Sequence, residues 1–192
     1  MKRTQQQVAP SNAFASVLAS AKLGGQRAWS LLYNELAGPV LGYLRLQGAS
    51  EPEDLLGEVF LHIARKIGTF EGDAAGFRSW VFMVAHNRVI DERRRRGRRP
   101  VELVTPEQLE PVEAPVDVET AVLNAVSLDR VNALLAGLTR DQRAVLHLRM
   151  VGGFTIDEIA TILGKPPGAV KALQRRALGA LRRDERLTVV SP

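Results

Sequence analysis

The side chains best suited to chemistry in this chain are cations and an amide set at helical spacing. In residues 154–183, Lys171, Gln174, Arg175 and Arg182 fall on one side of a helical projection; Val170, Leu173, Ala177, Leu178 and Leu181 fall inward. Lysine and arginine neutralise phosphate, and arginine and glutamine can also read base edges in the major groove of duplex DNA. A charged face alone is equally what any solvated amphipathic helix presents. The segment in front of it tips the reading toward DNA. Ile156, Ile159, Ala160 and Leu163 make a short apolar stripe, Gly164 offers a left-handed stop, and Pro166 and Pro167 cannot continue a helix but can begin one. A short helix, a glycine turn and a second helix with its cations outward is the helix-turn-helix pattern.

A second cationic centre lies upstream. Residues 86–99 hold seven arginines against Asp91 and Glu92. The plain reading is a basic helix end, which the negative C-terminus of a helix favours. Six arginines within 93–99 exceed that need and point to nucleic acid. Arg88, Arg94 and Arg95 project along related faces, and Asn87 can pair with a base or a phosphate. A third group is acidic: Glu51, Asp54 and Glu58, at i, i+3 and i+7, share one exposed face. They form either a solvated face at the positive end of a helix dipole or a docking surface for a basic partner protein. His62, His86 and His147 are scattered, with no His-Glu-x-x-His, phosphate-binding glycine loop or serine elbow. No catalytic residue, metal site or cofactor is expected.

These groups need helices to hold them. The chain has 192 residues, 45% hydrophobic and 5% aromatic, and alanine, leucine, valine and arginine dominate, which favours helix over sheet. The absence of cysteine excludes disulfides and fits a reducing compartment. No apolar run approaches the ~18 residues of a membrane span, and no signal peptide is evident, so a cytoplasmic protein without membrane insertion is expected. Helices are expected over residues 13–23, from Gln26 along Trp29, Leu32, Leu36, Val40, Tyr43 and Leu44, then over 51–67, 80–96, 118–136 and 139–150. Pro39 should kink or divide the second of these, and Thr139 should cap the last. Trp29 and Tyr33 are expected in the core, and residues 68–79 read as a glycine-rich loop. Residues 101–120 carry six acids and no cation, with prolines at 106, 111 and 115 after Pro100. Such a segment is extended and stiff; about 15 residues at ~3.1 Å each would hold the two cationic poles on the order of 45 Å apart. The expected architecture is all-α. A helical bundle (13–99) and a four-helix domain with the helix-turn-helix (118–186) are joined by an extended acidic, Pro-rich linker (100–117). A disordered start (1–12) and a short tail (187–192) flank them.

With the motifs in place the chain resembles the extracytoplasmic-function sigma factors, over about residues 24–99 and 130–184. GGQRAWSLLYNELAGPVLGYL resembles the family's opening helix pair, and EPEDLLGEVFLHIARKIGTF its polymerase-docking helix. FRSWVFMVAHNRVIDERRRR resembles the segment that opens and reads the −10 promoter element. Residues 134–183 resemble the −35-reading domain. The resemblance implies a transcription-initiation subunit rather than an enzyme. It implies partners in core RNA polymerase (a coiled coil of the largest catalytic subunit and the flap of the second-largest), in promoter DNA and in an anti-sigma protein. Asp54, Leu55 and Glu58 would dock on polymerase, with Gly57 where the family often has glutamine. Asp73, Ala74 and Phe77 would form the pocket for a base flipped from the −10 strand, and Asn87, Arg88, Arg94 and Arg95 would line that strand. Gly168, Lys171, Gln174, Arg175 and Arg176 would face the −35 element; Ala172 and Leu173 replace the family's usual Ser-Arg pair and should alter promoter choice. The acidic linker would thread toward the polymerase active-site cleft. An autonomous helix-turn-helix regulator is the alternative, against which the acidic helix and the second basic pole both speak.

Overall fold

The computed structural model describes residues 11–98 and 137–183, and all seven helices among them pack without a strand. The linker, the helix expected over 118–136, the start (1–10) and the tail lie outside the described residues.

Helix α1 (Ser11–Lys22) ends at Gly24, whose φ of 82° suits only glycine without strain. Helix α2 (Gln26–Leu46) buries Leu32, Leu36, Val40, Tyr43 and Leu44 in one stripe. It runs unbroken through Pro39 rather than being divided there. The carbonyl that loses its donor belongs to Glu35, on the exposed side, where water can serve it. Helix α3 (Pro52–Lys66) starts with Pro52 in its first turn beside Glu53 and Asp54, and ends with Arg65 and Lys66, each charge matching its end of the dipole. A 3₁₀ turn (Ile67–Thr69) follows.

The loop expected over 68–79 is much shorter. Helix α4 (Ala74–Arg98) begins at Ala74, because Asp73 caps it: its Oδ1 accepts the Gly76 N–H at 2.8 Å. The first half of α4 is apolar almost all round, and the fold covers it on two sides. Phe77, Val81, Phe82, Ala85 and Val89 are buried. α2 and α3 lie against it from one direction and a C-terminal helix from the other.

That C-terminal group comprises α5 (Arg140–Met150), α6 (Ile156–Leu163) and α7 (Pro167–Arg183). Thr139 and Thr155 each head a capping box, with Gln142 and Glu158 returning the bond to the capping residue's backbone. Gly164 closes α6 in the left-handed conformation (φ 61°, ψ 36°).

The two helical groups are not held apart. α6 lies along α4 and α5 against α2, and Val145, Leu148, Phe154, Ile159 and Ile162 belong to the same continuous buried cluster as Tyr43 and Phe82. Phe82 and Phe154 meet edge-on with centroids 5.1 Å apart. Arg78 stacks over Phe154 and donates to the Gly152 carbonyl at 2.7 Å. Gly152 admits nothing larger, since a Cβ there would lie 2.5 Å from the Phe154 ring. The separation expected from the linker is thus replaced here by an apolar seam. Apolar side chains on the second face of α4 gain more from burial than from facing water.

Candidate nucleic-acid and partner interfaces

Three surfaces carry the sequence-derived candidates. The first is α7. Pro166 accepts the N–H groups of Ala169 and Val170, so Pro167 opens the helix where its missing N–H costs nothing. Val170 and Ala177 anchor the inner side. Gly168, Lys171, Arg175 and Arg176 are exposed and Gln174 half-buried. Lys171, Gln174, Arg175 and Arg182 border a shallow groove of about 420 Å³, floored by Leu178 and Gly179. Leu178, expected inward, is 38% exposed within this cationic frame. Among the described residues none of these cations pairs with a carboxylate.

The second surface is α4 and the loop before it. Asn87, Arg94 and Arg95 are exposed. Arg88 is half-buried, 3.5 Å from Glu58 of α3, and its other nitrogen lies 3.5 Å from His62 Nδ1. Arg93 hydrogen-bonds the Gln47 carbonyl, Arg94 lies 3.7 Å from Asp91, and Arg96 pairs with Glu92 at 3.2 Å and donates to the Gly48 carbonyl at 3.1 Å. The candidate base pocket needs correction. Asp73 is exposed but is the helix cap, and Ala74 is half-buried in the first turn. Phe77 is 1% exposed, its ring locked among Phe14, Phe70 and Trp80 at 5.4–5.8 Å, so it cannot receive a base in this arrangement. One hollow of about 420 Å³ lies against Asp73 and Ala74, walled by Phe14, Leu18 and Lys22 of α1. A second opens beside Trp80. It measures about 320 Å³ and is lined by His62, Lys66, Thr69, Phe70, Glu71 and Trp80. Phe70 and Trp80 stack there, 5.2 Å apart and 20° from parallel. Burial and the charges of Arg88, Lys66 and Arg65 hold the His62 imidazole below its usual range. Apart from the two aromatic side chains of Phe70 and Trp80, the sequence carried no sign that this side was open.

The third surface is α3. Asp54 and Glu58 are exposed as expected, but Leu55 is only 7% exposed and packs into the core, so it anchors the helix instead of meeting a partner. Asp54 and Glu58 share a cleft of about 530 Å³ with Arg88, Arg95 and Arg96 of α4. On the opposite flank, toward α2, Tyr33 is 44% exposed with its ring 4.6 Å from Phe60, while Trp29 is half-buried against the core. Tyr33 is therefore surface, not core.

Comparison with known proteins assigns this arrangement. Residues 32–99 match the family model for Sigma-70 region 2, and residues 128–181 that for Sigma-70, region 4. The ECF RNA polymerase sigma factor SigL of Mycobacterium tuberculosis is 34% identical over 153 residues, covering 79% of this chain and 85% of SigL. The chain belongs to the extracytoplasmic-function sigma factors. The ECF RNA polymerase sigma factor BldN of Streptomyces coelicolor is 33% identical over 165 residues, covering 85% of this sigma factor but 62% of BldN's own length. The fold matches CnrH, solved in complex with the cytosolic domain of CnrY, with a TM-score of 0.65 at 22% identity, covering 94% of this chain and 100% of that one. It also matches RpoE, solved with the anti-sigma factor NepR from Bartonella quintana, with a TM-score of 0.63 at 21% identity, covering 84% and 98%. The family is one of non-catalytic regulatory factors, and as a member of it the chain binds core RNA polymerase and directs promoter-specific initiation.

In this sigma factor two of the three histidines, His86 and His147, serve the seam. The Tyr43 hydroxyl and His86 Nδ1 hydrogen-bond at 2.7 Å, both side chains buried. The His147 ring of α5 packs 5.6 Å from Tyr43. Burial, reinforced by the Arg93 charge, pushes His86 down to about 4, and burial pushes His147 down as well, so both rings are neutral near pH 7. Among the described residues no three metal-ligating side chains lie together, and no helix is long and apolar enough to cross a membrane.

Proposed function

We propose that the three surfaces divide the work of initiation. Helix α7 enters the major groove of the −35 element, with Lys171, Arg175 and Arg176 on phosphates and bases and Gln174 on a base edge, while Gly168 lets the first turn approach the backbone. Helix α4 meets the −10 strand through Asn87, Arg88, Arg94 and Arg95. A base flipped from that strand enters the hollow beside Trp80 and Phe70, whose polar rim of Lys66, Glu71 and His62 can address its pairing edge. The acidic face of α3, Asp54 and Glu58, docks on the coiled coil of the largest polymerase subunit, and the C-terminal group meets the flap of the second-largest. Residues 13–99 and 118–186 act as the two domains. The setting is the cytoplasm, where polymerase and promoter are, and an anti-sigma protein of the kind bound to RpoE holds the factor in reserve.

The observation that carries this reading is the state of α7: the second helix of a helix-turn-helix whose first helix is capped by Thr155 and closed by Gly164, with outer cations that have no internal partner among the described residues. The test is transcription in vitro. Core polymerase supplemented with the protein should start transcripts at promoters carrying matched −35 and −10 elements. Tight duplex binding without core, and no initiation with it, would instead identify an autonomous regulator.

A further inference from the structure

The groove between α2 and α3 holds a socket that the acidic face does not explain. Gly57, Phe60, Leu61 and Ala64 stand at i, i+3, i+4 and i+7 of α3, and together they border a hollow of about 470 Å³. Four helical residues at this spacing make the hole into which a facing helix inserts one side chain. Trp29 and Tyr33 of α2 form the far wall. Gly57 keeps the hole open: a Cβ added there meets no atom within 4 Å, so the space above it is empty and not filled by a neighbour. Leu61 is 57% exposed at its edge, an apolar surface left without cover.

We propose that this socket receives a large aliphatic side chain from a helix of core polymerase lying along the α2/α3 groove. The inference rests on the docking role of α3 and names the contact that gives it specificity. The same exposed strip carries Asp54 and Glu58 beside Gly57, and Asp54 has no cation partner among the described residues. The occupant is therefore an amphipathic helix with an apolar knob flanked by lysine or arginine. Carboxylates set the orientation and approach, and the knob supplies desolvated contact area. Gly57, which costs α3 helix propensity, is then a specificity-determining residue and not a defect.

The test uses full-length protein and purified core polymerase. Gly57→Leu fills the hole from within. It should lower core affinity at least tenfold while the thermal midpoint stays level or rises, because leucine is a better helix former than glycine. Gly57→Ala should cost less than threefold. In the wild-type holoenzyme, hydroxyl-radical labelling of Tyr33 and Leu61 should fall relative to the free protein, a reading independent of how any variant folds. Wild-type affinity in Gly57→Leu, or unprotected Tyr33 and Leu61, overturns the socket. If that happens while reversing Asp54 and Glu58 to lysine still abolishes binding, the acidic docking face stands without the socket. If the reversal also leaves binding intact, both fail.

Discussion

Helices α4 and α7 are both cationic, but they hold their cations differently. On α7, Lys171, Arg175 and Arg176 project into solvent with no carboxylate within reach among the described residues. On α4, Arg88 leans on Glu58, Arg94 on Asp91, and Arg96 on Glu92, while Arg93 is bonded to the turn after α2. One helix is a free electrostatic surface ready for a rigid duplex. The other is largely tied into its own domain, so Arg88, Arg94 and Arg96 must exchange partners to take a nucleic-acid strand, while Arg95 is already exposed. Exposed pairs of this type are worth under about 1 kcal/mol each, which makes the exchange inexpensive but not free.

The largest effect should come from the free side. Lys171→Ala with Arg175→Ala removes two contacts of about 1–3 kcal/mol each. Binding and initiation at −35-dependent promoters should fall on the order of 100-fold, with the thermal midpoint unchanged. Equal loss at promoters without a −35 element would break the assignment of α7.

Both helices share the seam beneath them, and the seam should respond to acid. His86 faces Tyr43, with the charges of Arg93, Asp141 and Lys165 close by. Its imidazole sits at about 4 in the folded chain against 6.5 when unfolded. Unfolding therefore takes up a proton below pH 6.5, and stability present in full above that pH is lost as pH falls toward 4. The gap corresponds to roughly 3 kcal/mol. His147 adds loss of the same sign. Denaturant midpoints from pH 7.5 to 4.5 should show the decline, and His86→Gln should flatten it; an equal slope in the variant would remove His86 as its source.

The tied side should behave as structure. Arg93→Ala strips a donor from the carbonyl of buried Gln47 and should cost about 1–3 kcal/mol of stability, while −35 binding by the surviving folded protein stays at wild type. A variant of full stability that fails only at the −10 element would move Arg93 to the DNA surface. A cap should matter less: Thr155→Ala opens the capping box that sets α6 against α4, for about 1 kcal/mol of thermal stability.

The same contrast explains what the sequence could and could not tell. α7 was legible because its signals are local: Gly164, Pro167, and cations opposite an apolar row. Thr139 was legible as a cap for the same reason. The apolar wrap of α4 announced that both its faces would be covered, but a helix period cannot say by what. That α6 supplies the second cover depends on Phe154 and Gly152, some 70 residues away in the chain. The placement of Phe77 failed at a boundary. Gly72 and Gly76 made the segment look like a loop, whereas Asp73 starts a helix there and turns Phe77 into the core. Tyr33 sits on a helical stripe yet faces outward, because the absent side chain of Gly57 leaves nothing to bury it.

The finest test of the comparison is Glu58→Gln. The substitution keeps the size of the side chain and removes the charge that Arg88 leans on, 3.5 Å away. With Glu58 and Arg88 48% and 30% exposed, the pair is worth well under 1 kcal/mol after solvent screening. Freed from it, Arg88 should bind single-stranded −10 DNA two- to fivefold more tightly in low salt. The gain should fade near ~1 M salt, where the screening length falls to about 3 Å. No substitution on α7 should yield such a gain, since its cations have no carboxylate among the described residues to be released from. Core binding should weaken in the same variant if, as proposed, Glu58 is part of the docking face. Opposite signs for the two partners would therefore mark Glu58 and Arg88 as the point where polymerase docking and strand capture compete for one carboxylate. Unchanged strand affinity would show that α4 holds its arginines as freely as α7 does.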